Sequence, residues 1–510
     1  MTSQAEQAQP TAASLDELVR DAARALPDKA AFSSPAGSLS WAQTDAAVDA
    51  TARGLLALGL TAGDRVAMQV GNTLDFPAVY FGILRAGLVA VPVNTEYTAV
   101  EVEQVVRASG ARLLVTERRG AQTGHTLLAQ LPELQHVVVI GADGPGSLSS
   151  LQSGVGSPVT SGRGGEDLAV VLFTSGTSGR PRGAMLSHRA LSANLEQTSR
   201  IEPQVMSTDD VVLLVVPLFH VYGLNGALGL IARQRATGVL VERFDPVETL
   251  ADLRRYAVTC VVGAPPMYVA WSMLPDVGDA FTTVRLALCG AAPLPSTVLH
   301  RVLEVTGQHV FEGYGLTETA PVLTSTLMST VAKPDSIGRP LPGIELRLLD
   351  GDGHDVEEGD PGEIVVRGDN LFSGYWPDGA EGPDAQGWWA TGDVAYADVD
   401  GDLHLVDRRR ELILVSGFNV YPREVEEVLL THPDVVEAAV LGIPHPYTGE
   451  SVKALVVLRE RAQPSSEELV AHCARSLARF KCPTAIEVVA ELPHSATGKV
   501  SKGRLRELAG

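Results

Sequence analysis

The stretch AVVLFTSGTSGRPRGAMLSH, residues 169–188, opens as an apolar, strand-forming run and passes into a loop built almost wholly of Thr, Ser and Gly. Thr174, Ser175, Gly176, Thr177, Ser178 and Gly179 carry little side-chain bulk. Such a loop can point its N–H groups and hydroxyls at a phosphate, and glycine reaches backbone angles that larger residues avoid. No Gly-Lys-Ser or Gly-Lys-Thr closes it, so it is not a Walker A loop; Arg180, Pro181, Arg182 and Gly183 follow instead. A strand in front and two guanidinium groups behind raise it above an ordinary flexible surface loop. The stretch reads as a phosphate cradle on an α/β sheet.

At 510 residues the chain is too long for one ordinary domain. Its apolar fraction of 45% reads as a globular enzyme rather than a disordered chain. A net charge of −21 argues against nucleic acid as a partner, because phosphate backbones need a basic face. An anionic ligand needs local basic clusters, and these stand at Arg180 and Arg182, at residues 408–410 and at residues 499–506. Cys260, Cys289, Cys473 and Cys482 are too scattered for a metal site or a disulfide framework and fit a reducing cytosol. The N-terminus lacks the basic residue and apolar core of a signal peptide, and residues 1–14 read as a disordered tail. Residues 211–232 hold no charge, but Pro217, His220 and Gly223 interrupt them. A buried strand-turn-helix explains that run better than a membrane span.

Outward from the loop, the chain alternates strand and helix. Residues 14–17 read as a capping box before an amphipathic helix. Strands are expected over 65–70, 88–93 and 113–116, with helices over 76–86 and 100–109, the pattern of a parallel sheet with covering helices. Of the twenty-six residues 141–166, sixteen are Gly, Ser or Pro, which predicts a flexible connection. Buried strands follow over 211–216, 258–262 and 284–289; ligands in open α/β sheets gather at the carboxyl ends of such strands. Alternation at Ile344, Leu346 and Leu348, and at Leu403 and Leu405, marks a β-rich subdomain from about 337 to 406. The last hundred residues read as a separate small α/β domain, with a strand over 412–415, a helix from Pro422 and a capped helix at 465–468.

Further motifs stand downstream. PLFHVYGL places His220, Tyr222 and Gly223 after a buried strand; CGAAPL ends another in Gly290, Ala291 and Ala292. In FEGYGLTE, residues 311–318, Gly313 and Gly315 flank Tyr314, an aromatic face suited to a stacked base, and Glu318 is a hard oxygen ligand of the kind Mg²⁺ takes. TGD ends in Asp393, DRRREL begins at Asp407, SGFNVYP at Ser416, and LPHSATGKVSK carries Lys499.

From about Leu15 to Leu508 these motifs occur in the order of the adenylate-forming superfamily, and the chain resembles its fatty acyl-CoA synthetases. The resemblance implies an α/β fold: a large N-terminal domain of α/β subdomains plus a β-rich subdomain over 15–409, and a small mobile C-terminal α/β domain over 410–510, hinged at Arg410. It implies ATP binding by the loop residues Thr174 to Gly179 and Arg182, by Gly290, Ala291 and Ala292, and by Glu312, Gly313, Tyr314, Gly315 and Thr317. Asp393 and Arg408 would hold the ribose, and Lys499 the acyl carboxylate and α-phosphate. Tyr314 would face adenine, Glu318 and Thr174 would hold Mg²⁺, and Thr317, Glu318 and Lys499 would serve catalysis. One departure stands out: Arg182 occupies a position where the superfamily usually has Lys, keeping the charge with a bulkier, bidentate group.

The expected acyl pocket comprises His220, Tyr222, Gly223, Val262, Gly290, Gly315 and Val322, with Gly290, Gly313 and Gly315 leaving room for a long or bulky chain. Gly417, Phe418 and Asn419 would meet coenzyme A after rotation of the small domain. No basic residue in these motifs suits a dicarboxylate, so a medium or long-chain fatty acid is expected, with an aryl or alicyclic acid as alternative. A fatty acyl-AMP ligase serving a carrier protein, a luciferase-like oxygenase and a catalytically silent sensor are the remaining readings. Small-molecule acid, ATP and CoA are the expected partners, the location cytoplasmic, with peripheral membrane contact and oligomeric state left open.

Overall fold

A computed structural model describes residues 14–174, 182–329, 333–408, 413–415, 418–420, 422–445, 449–477, 479–494, 500–502 and 504–505. The chain packs into two compact units, one of Met1–Thr330 with Pro340–Ile344 and Arg367–Gly387, the other of Val331–Arg339, Glu345–Val366 and Trp388–Gly510. By this packing Glu345–Val366 and residues 388–406, expected as a β-rich part of the N-terminal domain, group with the C-terminal residues, while Pro340–Ile344 and Arg367–Gly387 stay with the first unit.

The first unit holds two sheets. One runs in the order His136–Ile140, Leu113–Glu117, Arg65–Gln69, Val89–Pro92, Leu168–Thr174 and Arg182–Ser187. All its neighbours are parallel except the last pair, where Thr174 stands opposite Arg182. The other runs through Val322–Ser325, Val310–Gly315, Leu286–Cys289, Cys260–Gly263, Val211–Leu214, Thr237–Leu240, Ala30–Ser34 and Gly37–Ser40. The six strands from Val310–Gly315 to Ala30–Ser34 are parallel. Strands covered on both faces read as continuous apolar runs, which is why VVLL and CVVG form here. Their side chains meet Tyr268, Trp271 and Phe281 in one core.

Two expectations change. Ser14 and Glu17 do not form a capping box: the helix is Glu17–Ala25, its N-cap is Asp16, and Ser14 Oγ donates to Asp16 Oδ1 at 2.5 Å. The buried guanidinium of Arg85 draws the Asp16 carboxylate away, Nε to Oδ2 at 3.0 Å, and Ser14, being buried, is no part of a frayed tail. Nor is 141–166 only a connection. Leu148–Leu151 is helical, Leu148 is buried, and a Cβ on Gly54 would stand 2.2 Å from Leu151 O, so the segment docks on the helix Trp41–Ala57.

In the second unit one sheet runs Glu345–Leu349, Gly362–Arg367, Trp388–Ala397 and Leu403–Arg408. A second runs Phe418–Val420, Ile413–Val415, Gly449–Leu458 and Val435–His445, with Ala485–Val488 also on Gly449–Leu458. Helices Pro422–Leu430 and Ser466–Cys473 cover it through Val425, Leu429, Leu469 and Cys473; the expected capping box at Ser465 and Glu468 is present. All four cysteines are free and buried.

Candidate active site

Of four neighbouring parallel strands of the first unit, Val211–Leu214, Leu286–Cys289 and Val310–Gly315 lead into PLFHVYGL, CGAAPL and FEGYGLTE and Cys260–Gly263 carries Val262, so these gather along one sheet edge. The loop after Val211–Leu214 is pinned by a residue the sequence did not flag. Asn72 donates through Nδ2 to Leu214 O and Val216 O at 3.1 and 3.0 Å, and its Oδ1 accepts from Leu218 N at 3.0 Å. His220 Nδ1 accepts from Tyr222 N at 3.3 Å, and residues Tyr222–Gly229 wind as a π-helix. Gly223 is required by close approach, since a Cβ there would lie 2.3 Å from Pro217 O.

Gly290 and Gly315 are each required by a close approach within the protein. The half-buried Tyr222 ring fills the space over Gly290, and its OH donates to Gly263 O at 3.4 Å. Burial pushes the Tyr222 phenol well above its usual range, so it stays protonated. At Gly315 a Cβ would stand 1.8 Å from Pro321 O; the glycine lets the hairpin from Val310–Gly315 to Val322–Ser325 fold back on itself. Gly313 is the open one, with nothing nearer than 3.6 Å. Val262 is buried in its strand and Val322 is half-buried. Asn194, also unflagged, brackets Val322, donating to its O at 2.7 Å and accepting from its N at 3.1 Å.

The CGAAPL and FEGYGLTE motifs are tied together. Glu312 is buried and accepts from Leu294 N through Oε1 at 2.9 Å, joining the Gly290-Ala291-Ala292 turn to the strand Val310–Gly315. Ala291 sits at φ +73°, a left-handed conformation that costs a residue with a Cβ about 1 kcal/mol or more. Tyr314 and Thr317 are half-buried beyond it. Glu318 is buried, and its Oε1 accepts from Tyr375 OH at 2.6 Å; Phe372 N donates to Glu318 O at 2.9 Å. Burial and the Glu318 carboxylate push the Tyr375 phenol up, so it remains a donor.

Where the Thr-Ser-Gly loop leaves and rejoins its sheet, Thr174 Oγ1 donates to Arg182 O at 3.4 Å. The Arg182 guanidinium grips Glu381 in a fork, Nη1 to Oε2 at 3.1 Å and Nη2 to Oε1 at 2.6 Å, and lies over the Tyr375 ring, 3.6 Å from its centroid. Neither Tyr375 nor Glu381 carried a signal in the sequence. Ser175, Gly176, Thr177, Ser178 and Gly179, with Arg410, Gly417 and Lys499, lie outside the described residues.

In the second unit Asp393 is buried and stands opposite Arg408 across antiparallel strands; its N donates to Thr391 Oγ1 at 3.1 Å. Phe418 and Asn419 lie on the edge strand Phe418–Val420. No helix among the described residues is long and apolar enough to cross a membrane.

The residues fit a magnesium ion. Mg²⁺ takes one or two carboxylates, keeps several waters and completes its shell with substrate phosphate oxygens, and Glu318 offers a buried, oriented carboxylate at the edge where the motifs converge.

Comparison with known proteins bears on the whole chain. The profile of the AMP-binding enzyme family matches residues 19–376, and that of the AMP-binding enzyme C-terminal domain residues 424–499. A long-chain-fatty-acid–CoA ligase of Yersinia pestis is 35% identical over 97% of this chain and 94% of its own. A feruloyl-CoA synthase of an Amycolatopsis species is 34% identical, covering 96% and 97%. The crystal structure of ATP-bound MatB from Rhodopseudomonas palustris matches with a TM-score of 0.90 at 33% identity, covering 97% of this chain and 98% of that one.

Proposed function

Because the chain belongs to the AMP-binding, adenylate-forming enzyme family, we propose that the residues at this sheet edge carry the two half-reactions of an AMP-forming acyl-CoA synthetase. The activity is ATP-dependent ligation of a fatty acid to coenzyme A, with ATP and CoA as co-substrates and Mg²⁺ as cofactor. The observation that carries the assignment of roles is the buried Glu318 carboxylate, oriented by Tyr375 and one residue beyond the Thr317 hydroxyl.

In the first half-reaction an acid oxygen attacks the α-phosphorus of ATP, pyrophosphate leaves, and the acyl group becomes a mixed anhydride with AMP. A carboxylate is a poor electrophile at neutral pH, and the anhydride supplies the leaving group it lacks. Thr317 and the Thr174–Gly179 loop would hold the phosphates by hydrogen bonds, Tyr314 would cover adenine, and Asp393 with Arg408 would take the ribose hydroxyls. Lys499 would offset charge on the acyl carboxylate and α-phosphate as pyrophosphate departs. A bound Mg²⁺ on Glu318 would neutralise phosphate charge there. Rotation of residues 410–510 about Arg410 would then withdraw Lys499 and bring Gly417, Phe418 and Asn419 to coenzyme A, whose thiolate displaces AMP.

A medium or long-chain fatty acid is the substrate this reading favours, in the cytoplasm. An aryl acid is the second reading, and the Tyr222 ring packed against Gly290 favours it, because a ring there shortens the space available to an acyl chain. AMP formation over a panel from acetate to palmitate, with benzoate and coumarate, each with and without CoA, tests both. A CoA-dependent peak on a fatty acid supports the first reading and a peak on an aromatic acid the second. Acyl-adenylate without any thioester would overturn both in favour of a carrier-protein acceptor.

A further inference from the structure

Residues 374–380 lie along the strand Arg182–Ser187, with Trp376 N donating to Gly183 O at 2.8 Å and Met185 N to Gly374 O at 3.0 Å. That pairing sets Tyr375 between two charged groups. One face of its ring receives the Arg182 guanidinium, 3.6 Å from the centroid, while its hydroxyl donates to Glu318 Oε1 at 2.6 Å. Arg182 is itself held by the two bonds to Glu381, so the order Glu381, Arg182, Tyr375, Glu318 is continuous.

Each link uses a property of the group present. A guanidinium is planar, so it can lay its face on an aromatic ring while its edge forks a carboxylate; an ammonium has no flat face and no fork. A phenol O–H on a carboxylate is a short, charge-assisted bond that fixes both the direction and the plane of the acceptor. Tyr375 is only half-buried, and beside Arg182 its ring meets the Phe372 ring edge to face at 5.0 Å between centroids, a neutral contact that directs no charge; without Arg182 the phenol would gain freedom and Glu318 with it.

We propose that Tyr375 is a positioning residue for Glu318, and that Arg182, with Glu381 behind it, acts by clamping the Tyr375 ring. This rests on the reading of Glu318 as the carboxylate that would hold Mg²⁺. It assigns a use to the arginine at 182: the site employs its flat face and its fork together. Partners behind a metal-binding carboxylate commonly change metal affinity by about tenfold to a hundredfold when removed.

The test is a binding measurement. The full chain is saturated with a non-hydrolysable ATP analogue and titrated with Mn²⁺, free ion being read by electron paramagnetic resonance; analogue binding without metal and thermal unfolding are measured alongside. Tyr375→Phe keeps the ring and removes the hydroxyl. It is expected to weaken Mn²⁺ binding about tenfold or more, with metal-free analogue binding and unfolding temperature as in the parent. Arg182→Lys is expected to weaken Mn²⁺ binding in the same direction by a smaller factor. Parent-like Mn²⁺ affinity in Tyr375→Phe, while Glu318→Gln loses it, overturns the positioning role and leaves the Glu318 reading standing. Parent-like affinity in Glu318→Gln overturns that reading and the proposal together. A fall in unfolding temperature or in metal-free binding for Tyr375→Phe assigns the residue a structural role and overturns the proposal as well.

Discussion

The Tyr222 ring occupies the space that a side chain on Gly290 would need, for a Cβ at position 290 would lie 2.9 Å from the ring's Cζ. Tyr222 opens the π-helix that follows the strand Val211–Leu214, Gly290 follows the strand Leu286–Cys289, and both belong to the expected acyl pocket. Tyr222→Ala therefore vacates a ring's volume at the edge where the acyl group is proposed to bind. The expected outcome is a shift of preference toward longer or bulkier acids. Palmitate over octanoate should gain about tenfold in relative kcat/KM, since a few methylenes in an apolar pocket are worth about 1–3 kcal/mol. An unchanged profile would place the acyl group elsewhere. The acid panel used to test the activity reads this directly.

Gly315 offers a sharper steric test, because the obstacle is backbone. A Cβ there would stand 1.8 Å from Pro321 O, and the hairpin cannot swing aside as a side chain can. Gly315→Ala should cost about 3 kcal/mol in urea unfolding and displace Thr317 and Glu318 with the turn, so adenylation falls further than stability alone explains. Gly313→Ala, where the space is open, should cost well under half as much.

Arg85 is completely buried and is held by Asp16, Asp45 and Asp49 at 2.7–3.0 Å. Removing the cation leaves the buried Asp16 carboxylate without its ion-pair partner, whereas Asp49 keeps Arg20 at 3.3 Å. Arg85→Met should destabilise the first unit by about 3–5 kcal/mol, seen as a lower urea midpoint. Asp16→Asn, which keeps an acceptor for the guanidinium, should cost less.

His188 makes the fold sensitive to acid. Its Nδ1 accepts from Leu15 N at 3.2 Å, so the buried ring is neutral, and burial pushes its pKa down from 6.5 to about 4. Above pH 6.5 the ring is neutral in both folded and unfolded chains, and stability is unaffected. Between pH 6.5 and 4 only the unfolded chain takes the proton, so stability falls by up to about 3 kcal/mol. Urea unfolding from pH 7.5 to 4.5 should show this slope in the parent. In His188→Gln, which retains an acceptor but cannot titrate, the slope should shrink by one proton.

Lys499→Ala addresses the proposed division of labour. Adenylation, followed as acid-dependent pyrophosphate release, should slow by about a hundredfold to a thousandfold, the loss seen when one stabilising donor is removed from a reacting centre. Thioester formation from pre-formed acyl-adenylate should stay near the parent rate. Equal loss in both half-reactions would argue against withdrawal of Lys499 between them.

Local pattern was enough for much of the architecture. Apolar runs such as VVLL and CVVG, each running into a Gly or Pro turn, pointed to the buried strands that form there, and the Thr-Ser-Gly loop with its arginines could be proposed as a phosphate cradle because that chemistry is carried by consecutive residues. Glu318 within FEGYGLTE could be proposed as a metal-binding carboxylate on the same ground. What the sequence could not show was what surrounds those residues. Tyr375 reaches Glu318 from 57 positions away, Arg85 reaches Asp16 from 69, and Asn72 pins a loop that begins more than a hundred residues later. None of these partners has a spacing that marks it, because a hydrogen bond between distant segments is set by strand order and register, which periodicity does not encode. The glycines make the same point. Composition marks Gly290 and Gly315 as positions without a side chain, whereas only packing decides that an aromatic ring fills one space and a backbone carbonyl the other.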